Sequence, residues 1–356
     1  MPGPAPGKVR CLRCRPGRKT IRIMCRPSDH FTIGRVPVQI SSDCARLLGP
    51  VQSVLRACPP GEGELPFRLR LRYGPEPLGW EDGSGRLFWT GLLRGNIPAE
   101  FYAALTTRVA RVPGRAWGRL DLARRTMEIV CRPGCEGCVY DGCLTPLLCE
   151  LFAHLGHFVI HGASLATDWQ GVKAGILLAG VSGIGKTTTS LVLAHGGMTL
   201  LADDMSFIEA RNENIDRVRL WGLLLTCKVH DHTRRLLPWL TKCPAAPSRM
   251  EGETCVDVAD ALGDSTGVVS DPHLLLLLGP RTRGDHLLIP LDKTQAMATL
   301  TRQNIRAYEP YAQGSSGIAF RAIGRLVAQC RVYRLCVGEP LEELAGRIRG
   351  LLENPE

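Results

Sequence analysis

The residues richest in chemistry form one octet, Gly180, Val181, Ser182, Gly183, Ile184, Gly185, Lys186 and Thr187, which fits G-x-x-x-x-G-K-[ST] with no mismatch. A triphosphate must be wrapped by backbone N–H groups, and glycines bring the backbone close where side chains would hold it away. Gly180, Gly183 and Gly185 supply that approach, and a helix starting at Lys186 adds the partial positive charge of its N-terminus. In this pattern Lys186 reaches the β and γ phosphates, the Thr187 hydroxyl gives an oxygen to Mg²⁺, and Thr188 completes the binding segment. The pattern predicts ATP and Mg²⁺ as ligands.

Asp203 and Asp204 follow, 17 positions after Lys186. That interval holds a helix of about three turns, a Gly196-Gly197 stop and a returning strand. Both carboxylates are therefore expected at the sheet edge that carries the phosphates. Mg²⁺ takes hard oxygen ligands, and a phosphoryl acceptor needs its proton removed, so the pair suits both tasks. His161, in the segment VIHGASLA, is expected to end a neighbouring strand and to hold one aspartate ionised by pairing with it. A histidine satisfied within the core is the other reading.

Positioning these groups takes a strand, a glycine loop, a helix and a second strand, one α/β unit. Ala174–Ala179 is wholly apolar, as a buried central strand is; Lys186–His195 reads as the helix and Met198–Ala202 as the next buried strand. Before them, Leu147, Leu148, Leu151 and Leu155 fall on one helical stripe ending at Gly156, Phe158–Leu165 reads as a strand, and Asp168–Gly171 as a turn. After them, Trp221-Gly222 begins an apolar run whose tryptophan is either a core aromatic or a cleft border. Thr241–Thr266 is rich in Pro, Gly, Ser and acidic groups and reads as a mobile excursion, and Leu274–Gly279 returns as a buried strand. Nearer the N-terminus, Thr20–Met24, Phe67–Tyr73 and Phe88–Leu93 read as strands, Ala99–Val109 as a short helix and Arg119–Val130 as a strand pair. Residues 1–8 are Pro and Gly rich and expected to be disordered. The change of texture near Leu144 predicts an N-terminal mixed α/β domain over 1–143 and an α/β domain over 144–356.

The string IHGASLATDWQGVKAGILLAGVSGIGKTTTSLVLAHGGMTLLADDMSFI resembles the kinase core of the HPr kinase/phosphorylase family, and more closely the related kinases of peptide-modification operons. The likeness rests on His161-Gly162, the loop GVSGIGKT, the helix closed by Gly-Gly and the Ala202-Asp203-Asp204 triplet. It extends weakly to Tyr333–Val337 and Leu341–Leu352. It implies a PEP carboxykinase-like P-loop core using ATP and Mg²⁺, and an acceptor hydroxyl, usually of a serine, on a peptide or small protein. By the same resemblance Asp203 is the base, and Asp204 is a metal-side or His161-paired carboxylate. Thr187 and Thr188 follow the lysine where HPr kinases carry Ser and Glu, as is more usual in PEP carboxykinases. HPr itself is therefore not the expected acceptor.

CRPGCEGCVYDGC sets Cys131, Cys135, Cys138 and Cys143 at a spacing that could close around Zn²⁺ or an iron–sulfur cluster, against the alternative of reduced structural thiols. Cys11 and Cys14 form a separate C-x₂-C. The 356 residues carry a net charge of +10, held in the first part: residues 1–145 have 23 basic and 12 acidic side chains, and the remainder 21 and 22. That half could hold an acidic peptide, a nucleic acid being the lesser expectation, or be a solvated basic surface. No apolar run is long enough for a membrane span and the N-terminus does not read as a signal peptide, which predicts a cytoplasmic chain. A homo-oligomer is compatible with the sequence. Besides a serine/threonine kinase, the residues leave open a nucleotide-regulated peptide-binding module and a small-molecule kinase.

Overall fold

Apolar and charged residues alternate in FRLRLRY, Phe67–Tyr73, and the strand they form buries Phe67, Leu69 and Leu71 on one face while Arg68 and Arg70 face solvent. The structure, a computed structural model, describes residues 30–33, 36–52, 55–57, 67–77, 85–93, 96–210, 217–223, 227–248, 252–263, 268–308 and 316–353. The strand expected at Thr20–Met24 and the Cys11–Cys14 pair lie outside them. Elements in the first part are β1 (His30–Ile33), β2 (Val36–Ser42), α1 (Ala45–Gln52), β3 (Leu55–Ala57), β4 (Phe67–Tyr73), β5 (Arg86–Leu93), β6 (Ile97–Ala103), β7 (Thr107–Val112), β8 (Ala116–Asp121) and β9 (Thr126–Cys131). The strands form one sheet in the order β3-β1-β2-β4-β9-β8-β7-β6-β5. Its apolar face packs on α1, on a π-helical turn at Val139–Leu144 and on α2 (Thr145–His154).

The helix expected over Ala99–Val109 is instead the antiparallel pair β6/β7, turning at residues 104–106. The local run AEFYAAL favours a helix, but Ile97, Ala99 and Phe101 bury on the sheet's apolar face, and that burial overrides propensity. The strand pair expected at Arg119–Val130 is β8/β9. The leucine stripe of α2 is buried against this first sheet, and Glu150 of α2 meets Arg108 of β7 at 2.7 Å, so packing runs across residue 144.

The second part contains β10 (His157–His161), β11 (Ala163–Trp169), β12 (Val172–Ala179), α3 (Lys186–His195), β13 (Thr199–Ala202), β14 (Met205–Glu209), β15 (Arg219–Gly222), β16 (Cys227–His230), α4 (Asp231–Leu236), β17 (Ala245–Pro247), β18 (Glu253–Val256), α5 (Ala259–Leu262), β19 (Asp271–Leu278), β20 (Leu287–Pro290), α6 (Lys293–Tyr308), α7 (Ser316–Gln329), β21 (Arg331–Cys336) and α8 (Leu344–Glu353). Six strands form a mixed sheet, β13-β11-β12-β19-β21-β20, in which β12, β19 and β21 run parallel. The chain is thus mixed α/β. Buried on both faces, β12 and β19 read as unbroken apolar runs: Ile176, Leu178, Leu274 and Leu276 join the core with α3 and α8, while Leu177, Leu275 and Leu277 join the core with α7 and with β10, β14 and β15.

Three expectations change here. Phe158–Leu165 is not one strand: it breaks at Gly162, placing β10 in a three-stranded sheet with β14 and β15, and β11 in the six-stranded sheet. The turn after β11 is two residues, Gln170 and Gly171, with φ of 48° and 79°, a tight hairpin that leaves Asp168 and Trp169 within the strand. The excursion expected at Thr241–Thr266 instead contains β17, β18 and α5, and β18 pairs with β16 on one side and β17 on the other in a small sheet packed on α3. Among the described residues, no helix is long and apolar enough to cross a membrane.

Candidate functional site

Ala179 ends β12 in the core, and the chain emerges as an exposed loop at Val181, Ser182 and Gly183. Gly183 and Gly185 adopt φ of 81° and 107°, a backbone conformation that L side chains rarely take. With these two turns the loop enters α3 at Lys186. Lys186 is buried, and its Nζ donates to the carbonyls of Gly180 at 2.9 Å and Val181 at 3.2 Å. Burial lowers its pKa below the ordinary lysine value, while Asp204 and Asp203 push it back up.

The strand order brings the acidic pair to this loop. β12 and β13 both pair antiparallel with β11, so they point the same way and end at the same sheet edge. Thr187 Oγ1 donates to Asp203 Oδ2 at 3.1 Å, and Ser190, one helical turn on, places its Oγ 3.3 Å from Asp203 Oδ1. Asp203 is 7% exposed. Burial, and then the neighbouring Asp204 charge, raise its pKa to about 7 against the pull of the two hydroxyls and Lys186.

Asp204 is half exposed, with His161 Nδ1 2.9 Å from its Oδ1. Sequence expectation and geometry agree that His161 ends a strand beside the pair. The structure adds how it is held. The His161 backbone N–H donates to the buried Asn304 Oδ1 of α6 at 2.6 Å, and the Gly162 N–H donates to the Asp204 carbonyl at 3.2 Å. A Cβ on Gly162 would lie 2.6 Å from the Leu178 carbonyl oxygen, so the close approach there needs glycine. The chain passes between the three-stranded and six-stranded sheets at Gly162 and again at Asp203-Asp204, and the imidazole–carboxylate pair spans these two crossings.

Three site residues escaped the sequence reading. Ser190 had a signal, since i+3 from Thr187 shares its helix face. Asn304 and Thr233, whose Oγ1 lies 2.8 Å from Thr188 Oγ1, had none, standing 143 and 45 positions from their partners.

The oxygens of Thr187 and Asp203 fit one small hard cation. Adjacent ligands of an octahedral Mg²⁺ with bonds of about 2.0–2.1 Å stand about 3 Å apart, the spacing found here. The cysteines are not gathered in that way. Among the described residues, no group of three or more His, Cys, Asp or Glu side chains is arranged to hold a metal ion, Cys131, Cys135, Cys138 and Cys143 included. Cys131 and Cys143 point into the first core, and burial pushes the Cys131 thiol up to about 12 and the Cys143 thiol well above its usual value. Trp221 is a core aromatic, stacked on Phe207 with ring centroids 4.4 Å apart.

No protein-family model matches this chain, and no curated protein matches it.

Proposed function

We propose that this chain is an ATP- and Mg²⁺-dependent kinase of PEP carboxykinase-like P-loop type, transferring the γ-phosphoryl group to a serine or threonine hydroxyl of a peptide or small protein. The observation that carries the reading is the division of the acidic pair, Asp203 bonded to Thr187 and Asp204 paired with His161, at the mouth of the glycine loop. The loop and the N-terminus of α3 supply backbone N–H groups for phosphate oxygens, and Lys186 supplies a cation that exchanges its carbonyl partners for phosphate.

The geometry favours a division of labour that differs from the one the family resemblance implies. Asp203, rather than Asp204, shares Thr187's position on the metal side. When bound, Mg²⁺ neutralises charge on the phosphates. Asp204, open to solvent, takes the proton of the acceptor hydroxyl, and His161 orients its carboxylate. The acceptor O–H bond breaks as the O–P bond forms, and the bridging oxygen of ADP departs with the electron pair of the broken P–O bond. Positioning and charge neutralisation account for the acceleration.

The test incubates the purified chain with labelled ATP, Mg²⁺ and peptides encoded beside its gene. Label on a peptide serine or threonine that vanishes in Lys186→Ala supports the reading, and equal labelling by that variant removes the site. Nucleotide binding with no transfer to any peptide points to a binding module, and transfer to low-molecular-weight acceptors alone to a small-molecule kinase.

A further inference from the structure

The small sheet β16-β18-β17, between β15 and β19 in the chain, packs on α3 through β16. Its apolar side is fixed by Cys227, Val229 and Val256, joined by Leu237 just after α4, in the same core as Leu191 and Leu193. At the far end of α3, His195 stacks on Trp239 with centroids 5.1 Å apart and planes 16° apart. At the near end, in the first turn after the glycine loop, Thr188 Oγ1 meets the buried Thr233 Oγ1 of α4 at 2.8 Å. The insertion is therefore docked at both ends of the helix, and α4 flanks the loop's exit.

That docked segment is strongly basic. From Cys227 to Leu236 the sequence reads CKVHDHTRRL, with Lys228, His230, His232, Arg234 and Arg235 against one acid, Asp231. Not all of these are available. Lys228 and His230 face β18, opposite Cys255 and Glu253, and His230 Nδ1 lies 3.2 Å from the Gly252 carbonyl. His232 and Arg234 are the immediate neighbours of Thr233, about 100° to either side of it on the helix. His232 is exposed and Arg234 half-buried, and among the described residues neither has a carboxylate partner. The loop itself carries a single cation, Lys186, for a ligand with several negative charges.

We propose that α4 is a second, cationic wall of the nucleotide site, with Arg234 contacting the phosphates of bound nucleotide beside the first turn of α3. The inference rests on the nucleotide-binding reading above and extends it to residues outside the glycine loop. Arg234 supplies a forked set of N–H donors suited to phosphate oxygens, and the Thr188–Thr233 contact fixes the distance of that fork from the loop. Since α4 is tied to the helix that follows the loop, the wall moves with the phosphates rather than closing over them as a separate lid.

The experiment is calorimetric titration of the full chain with MgATP and MgADP. It compares wild type, Arg234→Ala, Thr233→Val, and Arg321→Ala as a control for net charge on the exposed face of α7. Loss of one or two charge-assisted hydrogen bonds is expected to weaken MgATP in Arg234→Ala by on the order of tenfold or more. Thr233→Val, which loosens the tether and keeps the charges, is expected to weaken it less, and Arg321→Ala not at all. Arg234→Lys, with unchanged circular dichroism, guards against misfolding and is expected to recover part of the affinity. Affinities within twofold of wild type for Arg234→Ala overturn the wall while leaving the glycine loop in place. A wild-type chain that takes up no nucleotide overturns both readings.

Discussion

Asp203 holds a carboxylate where water is excluded and another carboxylate stands beside it, and its pKa of about 7 records both facts. An ordinary aspartate ionises near 3.8. Between those values the unfolded chain has released a proton that the folded chain retains, so stability falls as pH rises from about 4 to about 7. At 1.36 kcal/mol per unit, up to about 4 kcal/mol is involved. Asp203→Asn is therefore expected to flatten that slope and to raise the thermal midpoint at pH 8 while removing phosphoryl transfer. A variant less stable than wild type at pH 8 would show that burial is not what raises this carboxyl. A cation held by Asp203 competes with the same proton, so Mg²⁺-nucleotide affinity is expected to rise between pH 6 and pH 8, as calorimetry at the two pH values would show. The loop and the acidic pair were legible in the sequence because their spacing is fixed by local chemistry. The split between the aspartates was not, because which of two adjacent carboxylates turns inward depends on Thr187 and Ser190 meeting Asp203 in three dimensions.

Elements bring those residues together through contacts that sequence patterns do not encode. Apolar runs buried on both faces announced β12 and β19, and a glycine pair announced the end of α3. The break at Gly162 was hidden, since both halves of VIHGASLA are apolar and only the pairing partners change. Gly162→Ala, with a Cβ 2.6 Å from a backbone oxygen, is expected to cost about 1–3 kcal/mol in denaturant unfolding. Asn304→Ala leaves the half-buried His161 N–H without its acceptor, at about 1 kcal/mol. Its effect on function is expected to be selective: nucleotide affinity unchanged, transfer slowed. Equal loss of both would place Asn304 in the general stability of the fold instead. The misjudged helix at Ala99–Val109 has the same origin as the hidden break, because residues good for a helix alone are committed to strands by a sheet whose other members lie far along the chain.

At the scale of the whole molecule, two large sheets with their own apolar cores are joined through α2 and the three-stranded sheet, whose Phe207 and Trp221 pack on Phe152. The mixed α/β character was legible from composition and texture. The nine-strand count was not, because short strands such as β1 and β3 carry too few residues to show a period. Ligand uptake offers a test at this scale. At a hundredfold excess over its dissociation constant, Mg²⁺-ATP is expected to add about 2.7 kcal/mol to the stability of the folded chain and nothing to Lys186→Ala. An unshifted melting curve for wild type would count against the nucleotide site.

The two places where the backbone leaves one sheet for the other lie side by side, joined by the Gly162–Asp204 backbone bond and by the imidazole–carboxylate contact above it. The two sheets share a core, Leu177, Leu275 and Leu277 of the six-stranded sheet packing with Phe158, Ile160, Ile208 and Leu220 of the three-stranded one, so this seam is held from beneath as well as across. On the proposed reading, opening of the gap between the Asp204 carboxylate and His161 would slow transfer, and the shared core opposes that motion. Amide exchange at Gly162, followed as acceptor is added, would report that motion directly.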